Sequence, residues 1–317
     1  MTHRFSLVAV VGAGAVGSFY GAMLARAGHR VTLIARPAHV QAIGRDGLQL
    51  EMGGAVEAVR LGASDSLAAA RGADLVLFCV KSTDTEAVAS ELAPHLDAGA
   101  VVMSLQNGVE NAPTIARSVR APVVPTVVYV ATEVPGPGRV KHHGRGDLVI
   151  GALDAAAARE PAATQCLQAL VDFFATAGVA VRISPDVMAE LWSKLMVNCA
   201  YNAISGLAQA TYAQLAAVPE VRELQQRVVR EVVALAQAER VALPLQPSLE
   251  AMERIAAAMP GQRSSTAQDM ARGKPSEIDH LNGFVARRGR ERGIDTPVNQ
   301  ALHALVKLVE SSRGDPR

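Results

Sequence analysis

The chain has 317 residues, half of them hydrophobic and 3% aromatic, and its formal net charge is +1. This length is more than one hydrophobic core usually holds and favours two domains, whereas the balanced charge and scarce aromatic residues argue against a nucleic-acid partner. Three widely spaced cysteines suggest neither a disulfide framework nor a metal site, and no apolar run approaches a membrane span, so we expect a cytoplasmic, metal-free protein.

The first 120 residues alternate short strands with helices. Runs rich in Val, Leu and Ile without two-residue alternation are typical of strands covered on both faces, and they lie at residues 7–11, 31–35, 74–80 and 100–105. Helical stretches follow at residues 15–27, 83–92 and 110–119. This alternation predicts a Rossmann-like, doubly wound parallel sheet.

A glycine-rich turn, GAGAVG, follows the first predicted strand. In the G-x-G-x-x-G pattern the glycines allow a tight turn and close approach of the backbone to a pyrophosphate, and the next helix supplies N–H groups. The strand before the turn and the helix and strand after it are the context that dinucleotide binding requires; the alternative is a structural strand–helix turn. The predicted cofactor contacts are Gly12, Ala13, Gly14, Ala15, Val16 and Gly17.

The same segment has a second interpretation as a signal peptide. A short basic stretch precedes the apolar run, and the sequence around Gly14 would suit a cleavage site. Cleavage near Ala15 would destroy the strand–helix–strand unit that residues 31–36 complete. We therefore favour the dinucleotide turn.

The end of the second predicted strand indicates which dinucleotide is bound. An NAD site normally has Asp or Glu there to accept hydrogen bonds from the 2′-hydroxyl of the adenosine ribose, whereas this chain has Ala35 and Arg36. A cation fits a 2′-phosphate. The sequence thus favours NADPH; the alternative is that Arg36 is an ordinary exposed loop arginine.

Polar residues also follow the next two strands, Lys81 after the third and Asn107 after the fourth. Ligands of open α/β sheets bind beyond the carboxyl ends of the strands, so both are candidates for contacting cofactor or substrate. Taken singly, Lys81 would equally suit a solvated helix entry, and Asn107-Gly108 a turn.

The remainder of the first half is expected to be extended. A hairpin turning at Gly53-Gly54 is placed at the sheet edge or over the helices. The Val-rich stretches 122–131 and 139–151, broken by prolines, are interpreted as edge strands. A helix at 163–177 and a strand at 179–183 complete this part.

Beyond Pro185 apolar residues recur every three or four positions, which predicts helices. The segments with this spacing are residues 188–208, 221–239, 251–259, 276–293 and 298–310. The predicted fold class is therefore α/β, with an N-terminal Rossmann-like domain over residues 1–185 and a C-terminal all-helical domain over residues 186–317.

A polar stripe runs along the first of these helices. Lys194, Asn198 and Asn202 recur every four residues and so share one face. Their neighbours are strongly apolar, which favours a buried helix whose polar groups need partners, as a cleft with a polar ligand would supply. A lysine there would anchor a carboxylate or act as a general acid. The alternative is the solvent side of an amphipathic helix.

A second polar cluster lies in SSTAQDMARGKPSEIDHLNGF. Ser276 suits the N-cap of a helix with Asp279 at its third position, so capping explains much of the polarity. Local reasoning does not choose among the members of the cluster, which are Ser264, Ser265, Asp269, Glu277, Asp279 and Asn282.

Taken together, these motifs resemble the ketopantoate reductase (2-dehydropantoate 2-reductase) family over nearly the whole chain. The shared features are GAGAVG, the arginine after the second strand, VKS, LQNGVEN, W-x-K-L-x-x-N-C-x-x-N, SSTAQD and EID-x-x-NGF. Many families share G-x-G-x-x-G, whereas KLMVNCAYN followed by SEIDHLNGF is specific.

The resemblance implies an NADP-dependent oxidoreductase that reduces 2-dehydropantoate to pantoate in pantothenate biosynthesis, with hydride delivered to the keto carbon. Lys194 matches the family's general acid, which protonates the developing alkoxide. Asn198, Asn202 and Ser265 match substrate-binding positions, and Asn107 matches a residue near both nicotinamide and substrate.

Two more residues gain roles through the same resemblance. Lys81 matches a cofactor contact, and Glu277 matches a residue that lines the catalytic cleft and contacts the cofactor. The family's active site lies between the two domains, and the second domain often helps form a dimer. We therefore expect a small 2-keto acid as substrate, a homodimer, and no nucleic-acid or membrane partner.

One departure from the family pattern affects the expected substrate. The best-known members have an Asn-Gly-Glu-Leu stretch whose Asn helps bind pantoate, and here the aligned stretch begins with Tyr212. A paralogous NADPH-dependent reductase of another 2-keto acid is therefore an alternative. A non-catalytic NADPH-binding module is a second alternative, against which the retention of Lys194 and its polar neighbours argues.

Overall fold

The structure, a computed structural model, describes residues 5–154 and 156–313. Residues 1–4, the basic stretch behind the signal-peptide interpretation, lie outside these ranges. The chain divides into two compact units, Met1–Met188 and Ala189–Arg317. Within the described ranges, no helix has the length and apolar character needed to cross a membrane.

The first unit is built on a mixed sheet, which has ten strands in the described part of the chain. They are β1 (Leu7–Val11), β2 (Arg30–Ile34), β3 (Leu48–Met52), β4 (Ala55–Val59), β5 (Gly62–Ser64), β6 (Leu75–Phe78), β7 (Val101–Ser104), β8 (Val123–Glu133), β9 (Arg139–Ile150) and β10 (Val181–Ile183). The helices between them are α1 (Ala15–Arg26), α2 (Pro37–Asp46), α3 (Thr85–Leu92), α4 (Asn111–Ser118) and α5 (Pro161–Ala175).

The parallel part of the sheet has the strand order β5-β2-β1-β6-β7-β8. Numbered along the chain, this is the 3-2-1-4-5-6 order of dinucleotide-binding sheets, whose ligands bind where the order reverses. Here the reversal lies between β1 and β6. The predicted Rossmann-like class is confirmed.

Both faces of this parallel part are buried. Val8 and Val10 of β1 belong to a core cluster that includes residues of α1 and α5, whereas Ala9 and Val11 belong to a second cluster that includes residues of α3 and α4. Burying each larger side chain contributes about 1.5–3 kcal/mol. Burial on both faces explains why the strands lack two-residue alternation.

The hairpin prediction is confirmed, and its turn uses two glycines in the left-handed region. Gly53 and Gly54 have φ values of +60° and +84° and connect the antiparallel strands β3 and β4. β4 ends the strand order, so the hairpin lies at the edge of the sheet.

The prediction of edge strands at 122–131 and 139–151 is wrong. β8 pairs with β7 as far as Pro125 and with β9 from Thr126 onward, and β9 also pairs with β3 and β10. Pro125 stands where β8 changes partner, a position that accommodates a residue without an N–H inside the sheet. Pro125 therefore marks a change of partner rather than an edge.

The second unit is helical, as expected. Its helices are α6 (Val187–Ala208, which starts just before the division), α7 (Tyr212–Ala216), α8 (Pro219–Ala238), α9 (Leu245–Ala258), α10 (Ser265–Ala271), α11 (Asn282–Arg292) and α12 (Pro297–Arg313). The short helices α7 and α10, like α2 in the first unit, were not predicted, because a helix of so few turns is too short to show an apolar periodicity.

The prediction of one helix over residues 276–293 is wrong. Ile278–His280 form a 3₁₀ turn, and Leu281, with φ −111° and ψ −105°, separates it from α11. Ser276 is therefore not the N-cap of a helix over this segment. Its N–H and hydroxyl instead donate to Oε1 of Glu310, at 2.8 and 2.6 Å.

Candidate functional site

The turn between β1 and α1 is closed by two tightly packed glycines. Gly12 has φ +89°, and a Cβ added there would lie 2.6 Å from the backbone nitrogen of Val80. The N–H groups of Gly12 and Ala13 donate to the Ile34 carbonyl at 3.0 and 3.1 Å. A Cβ at Gly17 would lie 2.6 Å from the Gly12 carbonyl oxygen. Larger residues at either position would separate the turn from its neighbours.

The middle glycine of the pattern, Gly14, has open space around it. A Cβ there would meet nothing within 4 Å. Gly14 is the N-cap of α1, no side chain caps this helix, and its first turn has no acidic residue. An uncapped helix N-terminus attracts anions through its N–H groups and dipole. This end of α1 therefore fits the pyrophosphate of a dinucleotide.

Arg36 lies at the start of α2, two residues after the end of β2. It is the N-cap of α2 and exposed, and its carbonyl accepts the N–H of His39 at 2.9 Å. The residues Ile34, Ala35 and Arg36 bring no carboxylate to this strand end. An exposed guanidinium at a helix N-terminus is a group that forms charge-assisted hydrogen bonds with phosphate.

The loops that carry Lys81 and Asn107 are joined by hydrogen bonds. The carbonyl of Asn107 accepts Nδ2 of Asn111 at 2.6 Å and the hydroxyl of Ser82 at 3.2 Å. Asn111 Nδ2 also donates to the Ser82 oxygen at 3.1 Å. Lys81 itself is exposed and precedes a 3₁₀ turn at Ser82–Asp84. The structure thus brings these two predicted strand-end positions together.

A buried glutamine and threonine extend this network beneath the loops. Gln106 Nε2 donates to the Val80 carbonyl at 3.0 Å and to Thr85 Oγ1 at 2.7 Å, and Thr85 donates to Asn111 Oδ1 at 2.8 Å. Sequence reasoning assigned no role to Gln106, Thr85 or Asn111. The only signal in the sequence was the position of two of them in LQNGVEN. Gln106 directly precedes Asn107, and Asn111 follows it by four residues.

In the helical unit, the polar stripe of α6 is not a solvent face. Asn202 is 3% exposed, and Lys194 and Asn198 are half-buried. Asn202 Nδ2 donates to Ser265 Oγ at 3.5 Å, and the Asn202 carbonyl accepts the Ser264 hydroxyl at 3.2 Å. Two residues that the resemblance assigns to substrate binding therefore meet, although 63 positions separate them.

Glu277 lies on a different segment of the same unit. It is half-buried and directly precedes the 3₁₀ turn Ile278–His280. Five residues further on, Asn282 Nδ2 donates to the Cys199 carbonyl of α6 at 3.1 Å. This bond anchors the segment after Glu277 to the helix that carries the polar stripe.

Two of the three cysteines are held as protonated thiols. Burial raises the pKa of Cys79 and of Cys199, so both remain thiols at neutral pH, and a thiol is a poor nucleophile. In residues 5–154 and 156–313, no group of three or more His, Cys, Asp or Glu side chains is placed to hold a metal ion.

Tyr212, where the sequence departs from the family pattern, is buried in the helical unit. Its ring packs on that of Tyr201, with centroids 4.7 Å apart, and burial raises the pKa of Tyr212 to about 12. Its N–H donates to the Gln262 carbonyl at 2.9 Å, two residues before Ser264. The backbone of Tyr212 therefore lies next to the segment that carries Ser265.

Comparison with known families gives a consistent result over both units. Residues 8–155 match the family model described as ketopantoate reductase PanE/ApbA, and residues 186–310 match its C-terminal model. A 2-dehydropantoate 2-reductase of Halobacterium salinarum is 33% identical over 314 residues, covering 96% of this chain and 98% of the relative. One from Vibrio cholerae is 32% identical with the same coverage.

Two solved structures extend the comparison. A PanE/ApbA family ketopantoate reductase from Ralstonia eutropha JMP134 is 51% identical with a TM-score of 0.90, covering 98% of this chain and all of that one. A D-mandelate dehydrogenase, solved with NADH and anilino(oxo)acetate, has the same TM-score and coverage at 24% identity. The second likeness shows that the fold is shared.

Proposed function

The chain belongs to the ketopantoate reductase family, and we propose that it reduces 2-dehydropantoate to pantoate with NADPH, a step of pantothenate biosynthesis. The observation that carries the proposal is the full-length relationship to 2-dehydropantoate 2-reductases, which align over 96% of this chain. In the proposed organisation, residues 1–185 form the cofactor domain, and residues 186–317 bind the substrate and form a homodimer.

The choice of NADPH rests on the adenosine side of the proposed cofactor site. Arg36 is exposed at the N-cap of α2, and the strand end before it lacks the carboxylate that an NAD site uses. The residues from Gly12 to Gly17 hold the pyrophosphate, with Gly14 as the point of closest approach. Lys81 and Asn107, on the joined loops, bind the rest of the cofactor, and Asn107 also contacts the substrate.

The reacting groups belong to the helical unit. The hydride added to the keto carbon comes from NADPH when it is bound. As the carbonyl oxygen becomes an alkoxide, Lys194 Nζ donates a proton to it and so completes the alcohol. Asn198, Asn202 and Ser265 bind the substrate through hydrogen bonds, and Glu277 lines the reacting site and contacts the cofactor.

A different 2-keto acid is the second candidate substrate. Tyr212 replaces the asparagine that helps bind pantoate in the best-known members of the family, and its backbone lies beside the segment of Ser265. A buried phenol differs from an amide in volume and in hydrogen bonding, which alters the preference among 2-keto acids.

The test is steady-state reduction of 2-dehydropantoate by the purified enzyme with NADPH and with NADH, beside a panel of aliphatic and aromatic 2-keto acids. We expect the highest kcat/KM for 2-dehydropantoate with NADPH. Faster reduction of several other acids would favour the second candidate. Absence of turnover with every acid would contradict both.

A further inference from the structure

A buried histidine on α2 lies at the centre of a chain of hydrogen bonds. His39, 8% exposed, accepts the N–H of Gly138 on Nδ1 at 2.9 Å. Its Nε2 lies 3.3 Å from the hydroxyl oxygen of Ser18, and that hydroxyl donates to the Ala13 carbonyl at 3.0 Å. We call these four residues the His39 relay.

The hydrogen bond from Gly138 to His39 fixes the direction of the other hydrogen bonds in the relay. A backbone N–H only donates, so Nδ1 of His39 must be unprotonated and the ring proton must lie on Nε2. Nε2 therefore donates to Ser18, which leaves the Ser18 hydrogen for the Ala13 carbonyl. Burial lowers the pKa of His39, so the neutral ring that this order requires is the form present at neutral pH.

The relay connects the two places where this chain is proposed to hold phosphate groups. Ala13 belongs to the glycine-rich turn at the start of α1. His39 stands in the first turn of α2, and its N–H donates to the carbonyl of Arg36 at 2.9 Å. The relay therefore runs from the pyrophosphate turn to the helix end that presents Arg36.

The Gly138 end of the relay is also fixed, by one backbone hydrogen bond and by close packing on α2. The Gly138 carbonyl accepts the N–H of Gln49 at 2.8 Å. Gly138 has φ +69°, and a Cβ there would lie 2.7 Å from Cβ of Ala42 on α2. Because this turn presses on α2 and its N–H points at Nδ1, the imidazole has one orientation.

We propose that His39 and Ser18 are positioning residues for the cofactor, which set the glycine-rich turn and Arg36 at the spacing that matches the pyrophosphate and the 2′-phosphate of one NADPH molecule. This inference rests on the proposed function and assigns residues that the family resemblance does not. Neither residue touches the cofactor. Each acts through a backbone group, Ser18 through Ala13 and His39 through the first turn of α2.

The experiment measures equilibrium binding of NADPH by nucleotide fluorescence, without substrate, to the full-length enzyme and three variants. Ser18→Ala removes both hydrogen bonds of the Ser18 hydroxyl, to His39 and to Ala13, with little change in shape. His39→Asn keeps an acceptor near Gly138 but does not reach Ser18. The third variant combines both changes. The matched control is Ser90→Ala, which alters an exposed serine of α3 that contacts Ser118.

We expect each single variant to raise the Kd for NADPH about 5- to 10-fold, as loss of the His39–Ser18 hydrogen bond, which both changes break, predicts. The double variant should be no weaker than the weaker single variant, because both changes break the same relay. The control should bind like the wild type. Thermal unfolding without ligand, measured in parallel, identifies any variant that is not folded at the assay temperature.

Three outcomes would overturn the inference. Unchanged NADPH affinity in folded Ser18→Ala and His39→Asn enzymes would make His39 a core residue only. Additive losses in the double variant would mean that the two residues do not act as one relay. A wild-type enzyme that binds neither NADPH nor NADH would overturn the proposed function as well, which distinguishes that failure from the other two.

Discussion

The side-chain amide of Asn282 donates a hydrogen bond to the backbone carbonyl of Cys199, across 3.1 Å. The same nitrogen donates to Oδ1 of Asn299 at 2.9 Å, and Asn299 donates in turn to Glu231 at 2.7 Å. The charge of Glu231 thereby orients both amides. This chain joins α11 and α12 to the middle of α6, one residue after Asn198.

Replacing the Asn282 amide should destabilise the helical unit. Asn282→Asp places a buried carboxylate against two oxygen acceptors, and we expect the free energy of unfolding to fall by about 3–5 kcal/mol. Urea denaturation measures this loss. Gln300→Glu, the same amide-to-carboxylate change at an exposed position of α12, serves as the control. An Asn282→Asp enzyme as stable as the control would contradict the structural role.

Lys194 is expected to control the rate of reduction. Lys194→Ala removes the proposed proton donor, and we expect kcat to fall about 100-fold or more, with NADPH affinity retained because the proposed contacts of its pyrophosphate and 2′-phosphate lie in the first unit. Steady-state kinetics with saturating NADPH measures the effect. Lys274→Ala, at an exposed position, is the matched control. An unchanged kcat would reject Lys194 as the proton donor.

Arg36 should discriminate between the two nicotinamide cofactors. Arg36→Ala removes a charged partner of the 2′-phosphate, whose loss costs about 1.5–3 kcal/mol or roughly 10- to 150-fold in the Kd for NADPH. NADH has no 2′-phosphate and should bind nearly as before. Arg45→Ala, at the other end of α2, controls for loss of positive charge. Equal weakening of both cofactors would refute the contact.

Two glycines of one motif should respond differently to a methyl group. Gly12→Ala meets the Val80 backbone at 2.6 Å and requires φ +89°, so we expect a loss of stability of about 1–3 kcal/mol. Gly14→Ala has open space and should leave stability unchanged but weaken NADPH binding, because the methyl group occupies the pyrophosphate approach. Thermal unfolding and NADPH titration of both variants measure this contrast. Equal NADPH affinity of Gly14→Ala and wild type would place the pyrophosphate elsewhere.

His39 should make stability depend on pH near neutrality. Burial holds its pKa in the folded chain below the ordinary value of 6.5, so between those two values the unfolded chain binds a proton that the folded chain does not. The free energy of unfolding therefore decreases as pH falls through 6.5, and the stabilisation is fully present only above it.

The measurement compares wild type with His39→Asn by urea unfolding at about pH 7.5, 6.5 and 5.5, on either side of the ordinary histidine pKa. The stability difference between them should shrink toward the lowest pH. The carboxyl groups of Asp74 and Asp279 also have lowered pKa values, but they titrate below their ordinary value of 3.8 and so outside this window. If the free energy of unfolding changed with pH by the same amount in wild type and His39→Asn, the pH dependence would not come from His39.

Local patterns predicted much of the first unit because they depend on neighbouring residues. The five residues of β1 and the start of α1 at Ala15 coincide with their predicted limits, since a buried apolar run and a glycine turn are each encoded within a few positions. Helix α2 was missed because its ten residues make fewer than three turns, too few for an apolar periodicity to stand out. The turn that separates Ser276 from α11 was missed because apolar spacing continues through it.

The sequence by itself determined the alternation of strands and helices, the glycine-rich turn, the cation at the end of β2 and the four-residue spacing of Lys194, Asn198 and Asn202. These features follow from backbone sterics and helical periodicity, which act over a few residues. Tertiary structure alone decided that β8 and β9 lie inside the sheet, that Asn202 meets Ser265, and that His39 binds Gly138 from 99 positions away. Those pairings depend on strand order and helix packing, because a buried polar group takes whichever partner the assembled core brings within hydrogen-bond distance.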